Sequence, residues 1–336
     1  MKVGQGMTQE DDKKGELTVA PIASRAERMH LLRQMGEESG SFEMLGAHHF
    51  AVFNDDSPTL LVTFDTLDAV LACAPGQMPA CFSLATQNGW SHLSLICNGD
   101  TWYRDPAVYA YFDRLVDDAF FEDFDRVVFY GAGMGAYAAC TFSVAAPGAT
   151  VLAVQPRATL DPSIAGWDQR YRQHRRLNFS DRYGYAPDMV DGAAKVFVIL
   201  DPTQAEDAMH AALFRAPHVQ PLRCRFMGGD INLALEEMNL LKPLLNAAVE
   251  DGLHPALFYR LWRARRNNIR FLRLMLTAAI KARKPAREAG ICRSVNRRMR
   301  APGFRRHLAE LEARGAVLPH PDSPPPNAPA RRRQIT

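Results

Sequence analysis

Residues 126–143, RVVFYGAGMGAYAACTFS, decide how this chain is read. Residues 126–130 put two adjacent valines and two aromatics into a short apolar run, the composition of a strand. Gly131, Gly133 and Gly135 then crowd into five positions. A turn that tight needs glycine, because its backbone must take positive φ or let another backbone approach closely. Small residues follow at Ala136, Ala138, Ala139 and Cys140, so a helix here can lie directly on a sheet. The stretch is expected to be strand, sharp turn, helix.

The same alternation runs outward in both directions. Apolar runs at 49–53, 59–64, 89–97, 150–154, 195–200 and 219–226 read as strands, and 23–34, 107–120, 206–214 and 232–249 read as helices. Pro106 suits the first turn of the second of these helices, where a missing N–H costs little. Alternating strands and helices predict an α/β fold, a mostly parallel sheet with helices on both faces. In such sheets ligands bind outside the carboxyl ends of the strands. Those ends carry Asp65, the 131–135 turn, Arg157, Asp201 and residues 228–230. The polar and aromatic stretch 155–194 is too long for a plain loop and reads as a lid, at about 157–194, with short helices.

Beyond Gly252 the pattern becomes all-helical, at 255–264, 269–284, 286–299 and 304–314. This resembles a tetratricopeptide-like helical-hairpin array, without a full repeat signature. The expected domains are a disordered lead (1–20), the α/β domain (21–252), the basic helical region (253–315) and a disordered Pro-rich tail (316–336). At 336 residues and 47% hydrophobic, the chain has material for about two domains. Six cysteines without CxxC pairs read as buried free thiols, not zinc ligands or disulfides. No metal or cofactor is assigned. No signal peptide or membrane-spanning run is read, so the expected location is the cytoplasm.

The net charge of +3 conceals an asymmetry: residues 258–314 hold 17 Lys/Arg against three acidic residues, and the first 257 residues are net acidic. Two readings compete. Acidic body and basic helices attract one another across a docking surface, or the helices hold an acidic protein or nucleic-acid partner. In the second case, removing residues 258–336 abolishes partner binding and leaves the sheet folded.

Two chemistries compete for GAGMGA. The nucleophile elbow of α/β-hydrolases, G-x-S-x-G, matches at Gly131 and Gly135, with Met134 where an oxyanion-binding N–H belongs. The nucleophile position, however, is Gly133, which has no side chain to attack a carbonyl. Asp201 stands where the triad acid belongs, but no histidine lies between His218 and His254, where the base is expected. His210, on the helix after Asp201, is the remaining base candidate. The dinucleotide fingerprint G-x-G-x-x-G/A also matches, at Gly131, Gly133 and Ala136, but too far along the chain and with Gln155 and Arg157 where a ribose-binding acid belongs. Either way, a helix N-terminus beside a cleft offers N–H groups to phosphate, sulfate or carboxylate. The ligand-binding candidates are Gly131, Gly133, Met134, Gly135 and Tyr137, with Arg104 and Arg157 as companions.

Taken together, TLLVTFD, GWSHLSLICNGDTWYRDPAVYAYFDRL, VVFYGAGMGAYAA, FSVAAPGATVLAVQPRATLDP and KVFVILDPTQAEDAMHAALF resemble a family of bacterial proteins similar to the α/β-hydrolase superfamily, whose closer members carry G-x-S-M-G-G-Y-A-A. The resemblance spans roughly residues 42–249 and implies the hydrolase scaffold, while Gly133 in place of serine implies loss of hydrolysis. Proteins resembling this one are often labelled phosphoadenosine phosphosulfate reductase. That label implies a Glu-Cys-Gly-Leu-His motif and a Ser-x-Gly-x-Asp-Ser loop, neither of which occurs; the last cysteine, Cys292, sits in GICRS. The leading expectation is a pseudoenzyme binding an anionic ligand or a partner. A sulfonucleotide reductase acting through Cys292 or Cys140, another enzyme using Asp201 or His210, and a module acting through the basic helices are the alternatives.

Overall fold

A computed structural model describes residues 25–73, 78 and 80–317. The expected lead and tail therefore lie outside the described residues, apart from 316 and 317. Helix α1 (Arg25–Ser39) leads into an antiparallel hairpin, β1 (Gly40–Leu45) and β2 (His49–Asn54). Strand β3 (Thr59–Thr66) is followed by α2 (Leu67–Leu71) and α3 (Ala80–Asn88), then β4 (Ser91–Cys97), α4 (Pro106–Asp117), β5 (Arg126–Ala132), α5 (Met134–Phe142) and β6 (Thr150–Val154). One-turn helices α6 (Pro162–Ala165) and α7 (Ala186–Met189) lie in the crossing to β7 (Lys195–Leu200). Then come α8 (Ala205–Ala211), β8 (Val219–Arg223), α9 (Ile231–Glu237), α10 (Leu241–Val249), α11 (Pro255–Leu261), α12 (Ile269–Lys281), α13 (Pro285–Arg298) and α14 (Pro302–Ala313).

The eight strands form one sheet in the order β1-β2-β4-β3-β5-β6-β7-β8, with β2 antiparallel to both neighbours and the remaining pairs parallel. This is an α/β-hydrolase-like sheet, with β5 and the glycine turn at its centre. Alternate residues of each central strand enter opposite cores. Val62, Phe129, Val151 and Val198 face one cluster with Phe112, Tyr137 and Phe142 of α4 and α5. Leu61, Val128, Leu152 and Ile199 face the other, with Ile231, Leu244, Phe258 and Trp262. Burial on both faces explains why these strands read as unbroken apolar runs.

Three readings are corrected. The hairpin strand β1 is absent from the sequence reading, because GSFEML pairs on one edge only and half of it faces solvent. The helix expected over 232–249 is two helices: Asn239 takes φ +54 and ends α9. The basic helices dock through apolar side chains, not charge. Phe258, Trp262, Phe271 and Leu272 share a core with Leu222, Met227 and Leu235, and among the described residues no ion pair joins the helices from 255 onward to the sheet body. Cutting at 258 would expose the part of that core around Leu222, Met227 and Leu235, while α3, α9 and α10 would still cover the rest of the face.

Candidate functional site

The glycines of the turn have different jobs. A Cβ at Gly131 would stand 2.1 Å from the Gly135 carbonyl oxygen, and one at Gly135 would stand 2.3 Å from that of Phe64. Close approach of β3, β5 and α5 therefore requires both. Gly133 caps α5 at φ +57 and ψ −114, a conformation costly for any L side chain, with its N–H on Val154 O at 2.9 Å. A Cβ there would meet nothing within 4 Å. The backbone therefore turns sharply at Gly133, beside open space on the side where a Cβ would stand.

Asp201, buried at the end of β7, does not face an imidazole. One oxygen accepts the Thr203 N–H and hydroxyl at 2.8 and 2.7 Å; the other accepts the N–H groups of Met227 and Gly228 at 2.7 and 2.8 Å. The loop after β8, which would carry a catalytic histidine, instead presents two backbone donors. His210 is equally committed: Nδ1 accepts the Ala158 N–H at 3.2 Å and Nε2 lies 3.0 Å from Asp168. That pattern fixes the neutral Nε2–H tautomer. Burial, and then the neighbouring Arg157, pull its pKa down to about 4. Asp201 and His210 share no hydrogen-bond partner, so the structure does not assemble them into an acid–base pair.

The side chains expected to help bind an anion hold the lid. Arg104 donates to the carbonyls of Asn178, Tyr183 and Arg182 at 2.7, 2.5 and 3.0 Å and stacks over Tyr109. Tyr137 donates its hydroxyl to Tyr183 O and Gly184 O. Arg157 binds Gln155 O at 2.7 Å and the Tyr171 hydroxyl at 2.9 Å, and lies 3.3 Å from Asp207. Met134 stays at the turn, its sulfur accepting the Trp102 N–H at 3.0 Å. The first-turn N–H groups of α5, at Met134, Gly135 and Ala136, have no acceptor within the helix.

Arg170, Asp168, Asp207 and His49 have no counterpart as site residues in the sequence reading. Arg170 bridges Asp168 and Asp207, both at 2.7 Å, and Gln155, itself at φ +54, reaches Asp207 at 2.7 Å and accepts the Ile231 N–H at 2.8 Å. This network ties Asp168 and Arg170 to α8 and, through Gln155, to the start of α9. Burial works to raise the Asp168 pKa, but bonds from Arg170 and His210 outweigh it and hold the carboxyl well below the usual range. Asp65, whose neighbour Phe64 is in register with Gly131, has one oxygen sealed and unpartnered, and burial raises its pKa to about 6. His49 meets the Thr101 hydroxyl at 2.7 Å, with Asp105 3.6 Å from its other nitrogen, in a loop where Trp102 and Tyr103 both take positive φ. Strand-end position is the one signal that pointed at Asp65, and nothing in the spacing of the others foretells their meeting.

Cys140 and Cys292 offer no nucleophile: both are buried, where desolvation pushes the Cys292 thiol up to about 11 and Cys140 higher still. A reactive thiol needs the opposite environment. Among the described residues no group of three or more His, Cys, Asp or Glu is placed to hold a metal ion, and no helix is long and apolar enough to cross a membrane.

No family model and no curated protein matches this sequence. Solved structures similar to it include Est1E from Butyrivibrio proteoclasticus (12% identity over 62% of this chain and 98% of that one, TM-score 0.40). A thermostable carboxylesterase from a metagenomic library, EstE1, shares 16% identity over 69% of this chain and all of its own, with a TM-score of 0.39. The capsule O-acetyltransferase of Neisseria meningitidis serogroup A shares 10% over 60% and 93%, with a TM-score of 0.38. The α/β-hydrolase-like assignment of the fold rests on the strand order and register of the sheet.

Proposed function

We propose that this chain is a non-hydrolytic, α/β-hydrolase-like binding protein that takes a small anion at the Gly131–Gly135 turn. The observation that carries the reading is the pairing of a bare elbow position, Gly133, with an acid, Asp201, already fastened to the backbone of the loop where a base would stand. A triad lacking nucleophile and base loses the proton relay on which acyl transfer depends. The N-terminal N–H groups of α5 supply what remains, a site for phosphate, sulfate or carboxylate. Residues 157–194 act in this reading as the cover of that site, held down by Arg104, Arg157 and Arg170. The buried, unbridged thiols of Cys81, Cys97, Cys140, Cys224 and Cys292 support a reducing compartment such as the cytoplasm.

The test has two arms. Purified chain incubated with p-nitrophenyl esters and a fluorophosphonate probe is expected to give neither turnover nor label, and rapid turnover with covalent labelling overturns the reading. Thermal shift with phosphate, sulfate and nucleotides is expected to show stabilisation by the anion that fits, lost in Gly133→Val, whose side chain fills the open space.

A second reading, an interaction module on the basic helices, is favoured by one observation. Arg263, Arg273, Arg287, Arg297 and Arg305 face solvent and are not used to dock the helices on the sheet.

A further inference from the structure

Helix α12 has two apolar stripes, and the described residues cover only one. Phe271, Leu272 and Ala279 point into the core shared with the sheet. On another face Ile269 and Ile280, 38% and 44% exposed, stand eleven residues apart, three turns of one helical face. They form a wall of a groove of about 420 Å³ whose far side is the junction of α13 and α14, from Arg300 to Phe304. Arg273 stands on one rim and Arg300 on the other, and no acidic residue lines the groove.

The charge around the groove is not answered from within the helical layer. Of the three acidic residues in 258–314, Glu288 is taken by His307 at 2.8 Å and Glu312 by Arg293 at 3.3 Å, leaving Glu310. The chain's own segment 318–336 carries Arg331, Arg332 and Arg333 against Asp322, so it shares the sign of the rim and is repelled. A second copy of the groove brings the same arginines. Nucleic acid answers the arginines but leaves the Ile269, Leu276 and Ile280 floor without an apolar partner.

We propose that this groove docks an acidic amphipathic helix of a partner protein, its apolar side chains at i, i+4 and i+7 over Ile269 and Ile280 and its Asp or Glu flanks on Arg273 and Arg300. This is helix-in-groove recognition with a charged rim. The inference deepens the interaction-module reading and is separate from the anion site at the glycine turn.

A photo-crosslinking amino acid placed at Ile280 of the full chain, in producing cells, tests it. The expected adduct is with a protein, mapped by mass spectrometry to a segment of that pattern. The synthetic segment should then bind the purified full chain, more weakly as salt rises, and at least tenfold more weakly to the Arg273→Glu, Arg300→Glu double variant. Both arginines are exposed, and an unchanged melting temperature verifies that the variant folds. A nuclease-sensitive adduct, an adduct with residues 318–336 or with a second copy, or no adduct overturns the proposal. The same probe at Arg297 separates the two levels: an adduct from there alone discards the groove and keeps the basic helices as an interaction module.

Discussion

Asp201 Oδ2 accepts the backbone N–H of Met227 at 2.7 Å, and this contact ties the end of β7 to the loop after β8. A carboxylate in a catalytic triad holds an imidazole; this one holds its neighbour's main chain.

The consequence is a structural role that can be measured. Asp201→Ala strands the buried N–H groups of Met227 and Gly228, and at about 1–3 kcal/mol per stranded donor the variant should lose ~2–5 kcal/mol in urea unfolding. Ester hydrolysis should be as absent in the variant as in the parent. A variant with parental stability contradicts the role assigned here.

The glycines should separate cleanly. Gly135→Ala drives a methyl into the Phe64 carbonyl, and loss of folded protein is expected. Gly133→Ser meets open space and costs only its strained φ, on the order of 1–3 kcal/mol. Because His210 is already committed to the Ala158 N–H and Asp168, Gly133→Ser should remain unlabelled by fluorophosphonate; efficient labelling would reveal a base.

Acid should destabilise the fold before its carboxylates titrate in the usual range. Burial lowers His49 and His210 to about 4 and His92 to about 3, so the unfolded chain takes up protons near pH 6.5 that the folded chain refuses. Asp65, raised to about 6, works in the opposite direction by holding a proton in the folded state. Three imidazoles against one carboxyl leave stability falling by ~2–3 kcal/mol per pH unit at its steepest, between about pH 6 and 4. The contribution of Asp168 is lost only further down, below the ordinary carboxylate pKa. Urea midpoints from pH 7.5 to 4.5 check the slope, and a flat profile contradicts the burial of these histidines.

The lid lock predicts a large, local effect. Asp207 is buried and accepts from Arg170 and Gln155, with Arg157 3.3 Å away. Asp207→Ala leaves Arg157 charged and buried, a change of about 3–5 kcal/mol. Limited proteolysis should cut within residues 160–190 of the variant at protease levels that spare the parent.

The docked helices should behave as core. Trp262 is 3% exposed between the sheet body and α11–α12. Trp262→Ala is expected to cost ~3–5 kcal/mol in urea unfolding, and a chain ending at residue 254 is expected to aggregate. A soluble, cooperatively folding truncation would show that the two layers are independent.

What was legible in the residues was local and periodic. RVVFY, TVLAV and KVFVIL announce buried strands by composition, and GAGMGA announces the sharp turn between β5 and α5. Strand GSFEML escaped because an edge strand with one wet face lacks that signal. The uses of Asp201, His210, Arg104 and Arg157 were invisible for a different reason. Each depends on a partner 26 to 79 positions away, and sequence carries no record of which donors a loop will turn inward. The residues by themselves determined an alternating α/β chain with a glycine turn after its central strand. The tertiary structure alone decided that Arg104, Arg157 and Arg170 tie down the segment between β6 and β7 and that the basic helices dock by apolar contact, because burial and hydrogen-bond pairing are set by what the fold brings together across long separations.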